Sequence, residues 1–123
     1  MLLDTHALLW WFSGRGLSAT SATAIGSPLN EIVVSAASVW EVAIKVATGR
    51  LDAPVDQLVS EVPRLGFAPL PVVLEHCTAA ARLPLHHRDP FDRMLVAQAQ
   101  LERLTIVTRD PAIAGYDVKV MPA

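Results

Sequence analysis

The segment "DPFDRMLVAQAQLERLTIVTRD" (residues 89–110) carries the pattern that decides the fold of this chain. Asp89 stands directly before a proline, and an aspartate cap followed by proline in the first helical position is a typical helix start. The residues that follow predict a long helix. The β-branched "TIVT" (residues 105–108) predicts a strand that ends just before Arg109 and Asp110. A helix leading into a short apolar strand is a unit from which parallel sheets are built.

Short apolar strands and helices alternate through the rest of the chain as well. The predicted strands cover residues 1–3, 31–35, 67–72, 105–108 and 118–122, the third of them as a sheet edge or loop because it contains prolines. The predicted helices cover residues 5–12, 18–28, 35–49, 54–66, 74–83, 89–104 and 111–115.

The strands are apolar along their whole length, which is the pattern of strands covered by helices on both faces. This predicts an α/β fold, a three-layer α/β/α sandwich around a short central parallel sheet. The chain has 123 residues, of which 52% are hydrophobic, and it shows no repeat and no linker. We therefore predict a single domain over residues 1–123.

The charge balance narrows the class of partner. Ten basic and twelve acidic residues give a net charge of −2, which argues against a protein that coats nucleic acid through charge alone. This net charge is compatible with an enzyme that binds RNA at a local site and through metal ions. Charged residues make up only 18% of the chain, so part of an apolar surface is expected to be covered by a partner.

Two absences narrow the class of protein further. Cys77 is the only cysteine, which excludes an internal disulfide and a cysteine-based zinc site; we expect it to be a small buried residue. The opening "MLLDTH" (residues 1–6) does not resemble a signal peptide, and no apolar run is long enough to span a bilayer. The sequence thus predicts a cytoplasmic protein without a membrane partner.

Acidic residues stand where predicted strands end and predicted helices begin. Asp4 and Asp110 each directly follow an apolar strand, and Glu41 follows the second strand in the first turn of its helix. In a parallel sheet these positions share the carboxyl edge, where ligands bind. Asp92 joins them if the helix at residues 74–83 returns the chain to that edge.

Each acid also has a purely structural interpretation. Asp4 and Asp110 are good helix caps. Ser38 and Glu41 have the spacing of a capping box, and Glu41 can pair with Lys45 one turn later. Asp92, in the third position of its helix, would interact favourably with the helix dipole. Taken together, however, four converging carboxylates repel one another and acquire raised pKa values. A hard divalent cation such as Mg²⁺ or Mn²⁺ relieves that repulsion and supports phosphodiester hydrolysis.

Three blocks of the chain resemble the PIN-domain ribonucleases, and within them the VapC-type toxins of type II toxin–antitoxin pairs. They are "LLDTHALLWW" (residues 2–11), "VSAASVWEVAIKVATGRL" (34–51) and "HRDPFDRMLVAQAQLERLTIVTRD" (87–110). The resemblance runs from Met1 to about Val120 and implies the PIN-like form of the predicted sandwich.

The resemblance also implies an activity, namely hydrolysis of RNA phosphodiesters with Mg²⁺ or Mn²⁺ and without a covalent intermediate. Asp89 becomes the helix cap, which leaves Asp92 as the site carboxylate. Thr5 and Thr108 are expected to hold carboxylates in place through their hydroxyls, although local capping explains them equally well. The metal-site acids that the resemblance implies are Asp4, Glu41, Asp92 and Asp110.

Basic residues around these acids leave two interpretations open. Arg88, Arg93 and Arg109 are either ion-pair partners of the carboxylates or contacts to RNA phosphates. His86 and His87 are expected to be solvated loop residues.

The family further implies a cognate antitoxin, whose C-terminal segment would lie over the acidic groove, and a homodimer. The tryptophans at 10, 11 and 40 and Phe12 suit either such surfaces or a buried helix face.

Three other classes fit less well. A phosphoacceptor receiver domain needs paired acids after its first strand, and only Asp4 stands there. A haloacid-type phosphatase needs a second aspartate two residues later, where this chain has His6. A catalytically silent PIN-like interaction module remains the alternative, and the complete acid set argues against it.

Overall fold

The computed structural model describes residues 1–123 and shows a five-stranded, all-parallel sheet with seven helices. The strands are β1 (Leu2–Leu3), β2 (Val33–Ser35), β3 (Ala68–Leu70), β4 (Ile106–Thr108) and β5 (Val120–Pro122). The helices are α1 (Thr5–Ser13), α2 (Ala19–Gly26), α3 (Ala36–Ala47), α4 (Val55–Arg64), α5 (Leu74–Arg82), α6 (Pro90–Glu102) and α7 (Pro111–Ala114).

The sheet has the strand order β3-β2-β1-β4-β5, with β1 in the middle. Leu2 is in register with Val33 on one side and Ile106 on the other. The chain builds the β1–β2–β3 half first and then crosses over to β4. The order of the strands therefore reverses between β1 and β4, which is where open parallel sheets form a ligand-binding crevice.

Helices cover both faces of the sheet, as predicted. Successive strand residues point to opposite faces, so Leu2 and Leu3 belong to different cores. Leu3 packs in a core that includes residues of α1, α2 and α4, whereas Leu2 packs in one built largely by α6 and α7. The predicted three-layer sandwich is confirmed, and β3, with Pro69 in it, lies at the sheet edge as its prolines suggested.

The start of α3 differs from the prediction. Ser35, rather than Ser38, caps the helix, and its hydroxyl accepts a hydrogen bond from the amide of Ala37. Glu41 consequently lies in the second turn, and the predicted capping box with Ser38 was wrong. Ser35 is also the last residue of β2, so the strand ends directly at the cap and α3 starts one turn earlier than expected.

Cys77 is exposed, so the prediction of a buried cysteine was wrong. It lies on the outer side of α5, whose inward side carries the buried residues His76 and Ala80. Apart from this, α5 has the predicted extent and leads the chain back toward the carboxyl edge of the sheet. None of the helices combines the length and the apolar character needed to cross a membrane.

Candidate active site

Asp4 lies at the junction of β1 and α1 and is only 4% exposed. Its carboxylate caps α1, accepting a hydrogen bond from the amide of Ala7 at 2.7 Å. Burial raises the pKa of Asp4, and this rise is opposed by the Thr108 side chain and the Ala7 amide. Nearby Asp110 raises the pKa further. Asp4 is thus a helix cap and also a buried carboxylate facing a second acid.

Glu41 is buried on α3 and is held by two groups. The hydroxyl of Thr5 donates to its Oε1 at 2.6 Å, and the ammonium of Lys45 lies 3.2 Å from its Oε2. The predicted pair between Glu41 and Lys45 is therefore present. Thr5 directly follows Asp4, so one short segment carries one acid and orients the next.

Asp89 and Asp92 have different environments. The carboxylate of Asp89 caps α6, accepting hydrogen bonds from the amides of Phe91 and Asp92. The carboxylate of Asp92 caps nothing. Burial, followed by repulsion from Asp89, raises the pKa of Asp92 to about 7, with Glu41 and Asp4 contributing further repulsion. Asp92 therefore faces the other two acids, and α5 does return the chain to the carboxyl edge.

Asp110 follows β4 and caps α7 through the amide of Ala112. Its own amide donates to the hydroxyl of Thr108 at 3.0 Å. The second carboxylate oxygen of Asp110 points away from the helix, toward the loop before α6. Asp110 is thus another cap with one oxygen left for a different partner.

That partner is His87, which sequence analysis assigned to a solvated loop. Its Nε2 lies 2.8 Å from Oδ2 of Asp110 and 3.0 Å from Oδ2 of Asp92. The ligand atoms of these three residues all lie within 4.8 Å of one another. The prediction was wrong for His87, whereas His86 is exposed and packs edge-on against the ring of Tyr116.

The three arginines have different roles in the structure. Arg93 makes no ion pair with the acids; its guanidinium donates to the carbonyls of Ala80, Ala81, Leu83, Pro84 and His87 and to the hydroxyl of Tyr116.

Arg109 lies 4.3 Å from the centre of the Trp10 ring, and it donates to the carbonyls of Gly16 and Ala123. Arg88 is exposed and has no polar partner. Of the two interpretations left open, the ion pair with a site carboxylate forms for none of the three arginines.

The donor set fits a hard divalent cation. Asp4, Glu41, Asp92 and Asp110 supply carboxylate oxygens, the ligands that Mg²⁺ and Mn²⁺ take. Burial and the neighbouring Asp89 are the main causes of the raised pKa of Asp92, and Glu41 and Asp4 add repulsion that a bound cation would relieve.

The sequence profile of the PIN domain matches residues 1–119. The chain belongs to the PIN-domain family. PIN domains are generally nucleases and typically use divalent metal ions, so membership supports a nuclease. No curated protein sequence matches this PIN domain.

Solved structures with the same fold include components of toxin–antitoxin systems. FitAcB from Neisseria gonorrhoeae is 22% identical to this PIN domain, with a TM-score of 0.68 over 98% of this chain and 96% of the other. A toxin–antitoxin complex from Klebsiella pneumoniae is 20% identical, with a TM-score of 0.69 over 98% and 95%. VapBC2 from Rickettsia felis, bound to a DNA fragment from their promoter, is 13% identical, with a TM-score of 0.72 over 98% and 96%.

Proposed function

We propose that this PIN domain is a Mg²⁺- or Mn²⁺-dependent endoribonuclease that acts as a VapC-type toxin and is neutralised by a cognate antitoxin. The observation that carries the proposal is the placement of four acids, Asp4, Glu41, Asp92 and Asp110, at the carboxyl edge of the sheet. Thr5, directly after Asp4, donates to Glu41, and His87 contacts both Asp92 and Asp110. The four acids come from four separate segments, and capping alone does not explain why they face one another.

The chain's own residues would hold the cation and the water. Asp4, at the centre of the sheet edge, is the proposed principal ligand, with Glu41 and Asp92 beside it and Asp110 at the margin. A bound Mg²⁺ would lower the pKa of a water and stabilise the leaving oxygen of the phosphodiester. Thr5 keeps Glu41 oriented, as its 2.6 Å hydrogen bond indicates, and the Thr108 side chain favours the ionised form of Asp4 by lowering its pKa.

Arg88 is the arginine best placed to contact an RNA phosphate. It is exposed, it has no polar partner, and it lies between His87 and the cap of α6. Arg109 is a second candidate for an RNA contact because it is exposed, although Trp10 and two carbonyls already hold its guanidinium. Arg93 is left out of the proposed RNA contacts, since its donors are taken up by carbonyls.

Exposed apolar side chains beside the site support an antitoxin and a homodimer as partners. Trp40, directly before Glu41, is 64% exposed and contacts the ring of Phe91 edge-on. Leu85, in the loop that also carries His87, is 84% exposed. The structural neighbours come from toxin–antitoxin systems, and we propose the same kind of partner here. A silent interaction module is less favoured because all four acids are present.

The decisive experiment is cleavage of total cellular RNA by the purified, antitoxin-free protein. Reactions contain Mg²⁺, Mn²⁺ or EDTA, and the cut ends are mapped by sequencing. We expect discrete cuts that require the cation and are lost with Asp92→Asn. The matched control is Asp89→Asn, three residues away, which keeps a good cap and should cut normally.

Two results would count against the nuclease. Cuts that persist in EDTA would exclude the metal mechanism. A folded protein that binds Mn²⁺ but cuts no RNA would favour the silent module, and equal loss of cutting in both variants would contradict the assignment of Asp92.

A pH dependence follows from the raised pKa of Asp92. A cation must displace the Asp92 proton at pH values below about 7. Mn²⁺ affinity, measured by calorimetry, should therefore weaken as the pH falls from 8 to 6, by up to about tenfold per pH unit. An affinity that stays constant across this range would contradict the raised pKa.

The raised pKa of Asp92 should also affect the stability of the metal-free protein. Between the ordinary aspartate pKa of about 3.9 and about 7, the folded protein keeps a proton that the unfolded chain has released. The free energy of unfolding of the metal-free protein should therefore fall as the pH rises through that window, because Asp92 becomes ionised in a buried place that disfavours its charge. Thermal unfolding in EDTA should show Asp92→Asn gaining stability over the wild type at pH 8 and much less at pH 5.

A further inference from the structure

His87 is the one side chain in the acid site that the proposed mechanism leaves without a role. It belongs to the loop between α5 and α6, and it touches two acids that come from different elements. Asp92 lies in the first turn of α6, while Asp110 caps α7. No other side chain makes a polar contact with both of these carboxylates.

The hydrogen bonds of the ring fix where its proton lies. The backbone amide of Asp89 donates to Nδ1 of His87 at 3.2 Å, so Nδ1 presents its lone pair and carries no proton. The neutral ring therefore has its proton on Nε2. Nε2 faces one oxygen of Asp92 and one of Asp110, both acceptors when ionised, and a single N–H is shared between them.

This tautomer is unsuited to metal ligation. A histidine that binds a cation through Nε2 must present a lone pair there and carry its proton on Nδ1. A proton on Nδ1 would point at the Asp89 amide, and two donors would then face each other. Asp89 cannot turn its amide away without giving up its place as the cap of α6.

Two hydrogen bonds hold the backbone of His87 in place. Its amide donates to the hydroxyl of Tyr116 at 2.9 Å, and its carbonyl accepts from the guanidinium of Arg93. Tyr116 is itself buried and donates to the carbonyl of Pro84 at 2.7 Å. The ring of His87 thus belongs to an anchored loop. A side chain that positions other groups needs such a rigid support.

We propose that His87 is a positioning residue that holds the carboxylates of Asp92 and Asp110 together through its Nε2–H and is not a metal ligand. The inference rests on the proposed function, since it concerns the same acids. Two like charges on separate elements tend to move apart. A shared donor keeps them at the spacing that a cation needs.

The first test reads the tautomer directly. ¹⁵N NMR of histidine-labelled, metal-free protein at pH 8 distinguishes a protonated Nε2 from a protonated Nδ1. We expect the Nε2–H form, unchanged when Mg²⁺ is added. An Nδ1–H form would overturn the proposal, as would an imidazole nitrogen coupling in the electron spin echo of bound Mn²⁺.

The second test uses two substitutions that each keep one half of the ring's hydrogen bonding. His87→Gln places an amide N–H near the position of Nε2, whereas His87→Asn offers an acceptor near the position of Nδ1 and leaves the acids without a donor. We expect His87→Asn to weaken Mn²⁺ binding roughly 10- to 100-fold, as losing a group that orients a ligand does. His87→Gln should restore most of the affinity.

Equal affinity of His87→Asn and wild type would overturn the proposal. Should either variant fail to show cooperative unfolding, the tautomer measurement on the wild type decides alone. Both readouts need no RNA, so they separate the two proposals. A protein that passes them but cuts no RNA refutes the nuclease and leaves the role of His87 intact, whereas RNA cleavage with an Nδ1–H ring does the reverse.

Discussion

Asp4→Asn is expected to abolish RNA cleavage while leaving the protein folded and, without metal, more stable than the wild type. Asparagine has the same shape and caps helices as well as aspartate, so the bond from the Ala7 amide is kept. The substitution removes only the negative charge of the carboxylate. A cation at such a site supplies several kcal/mol of stabilisation to the transition state. Its loss corresponds to a fall in cleavage rate on the order of a thousandfold.

The gain in stability follows from the direction of the Asp4 pKa. Burial raises that pKa, so ionising Asp4 disfavours the folded state as the pH rises from the ordinary aspartate range to the raised value. An uncharged asparagine does not incur this loss. Folding and function therefore make opposite demands on this position, as is common at active sites.

Single-turnover cleavage with Mg²⁺ and thermal unfolding in EDTA measure the two effects. Asp117→Asn is the matched control, because Asp117 is exposed and its carbonyl contacts Gln100, near the end of α6 that is opposite the acids. It should change neither quantity. Asp4→Ala should also stop cleavage but, lacking the cap, it should lose about 1 kcal/mol relative to Asp4→Asn. Wild-type cleavage by Asp4→Asn would refute the role assigned to Asp4.

Arg93→Ala is expected to cost roughly 3 kcal/mol of folding free energy, because a hydrogen bond to a charged group contributes about 1.5–3 kcal/mol and this guanidinium makes several. For a domain of this size that is a fall in Tm of roughly 10 °C. Arg93 ties the end of α5 and the following loop to Tyr116, so its removal leaves carbonyls without donors. The loop that carries His87 would then lose one of its two anchors.

Arg93→Lys is the informative companion. It keeps the charge but offers three donors on a single nitrogen in place of a planar fork, so it cannot reach carbonyls on both sides. We expect it to be destabilised nearly as much as Arg93→Ala. Arg82→Ala, on the exposed side of α5, is the control and should stay within about 0.5 kcal/mol of the wild type. Denaturant unfolding measures all three, and a loss below that limit for Arg93→Ala would contradict its role as an anchor.

Much of the architecture could be predicted because its signals are local. The cap of α6 followed by proline, the β-branched β4 and the apolar β1 each identify their own element, and acids directly after strands fall at one sheet edge by topology. The same local chemistry separates Asp89, which caps, from Asp92, which does not. The structure confirms that distinction through the two amides bonded to Asp89.

Other features depend on contacts that sequence order hides. His87 and Asp110 are distant in the chain, and only the fold brings the loop before α6 against the end of β4. The start of α3 offered two serines, Ser35 and Ser38, and the length of β2 decided between them. The exposure of Cys77 also depends on the fold, because only the structure shows that His76 and Ala80 form the inner face of α5 and that Cys77 lies off that face.

The strand order also determines when the active centre can first exist. Of the paired strands β1 and β4, β1 leaves the ribosome first, and most of this domain is made before β4 and the acid that follows it. A nascent chain therefore carries Asp4 and Glu41 for some time before Asp92 and Asp110 are added. The proposed metal site cannot form before β4 has emerged and paired with β1.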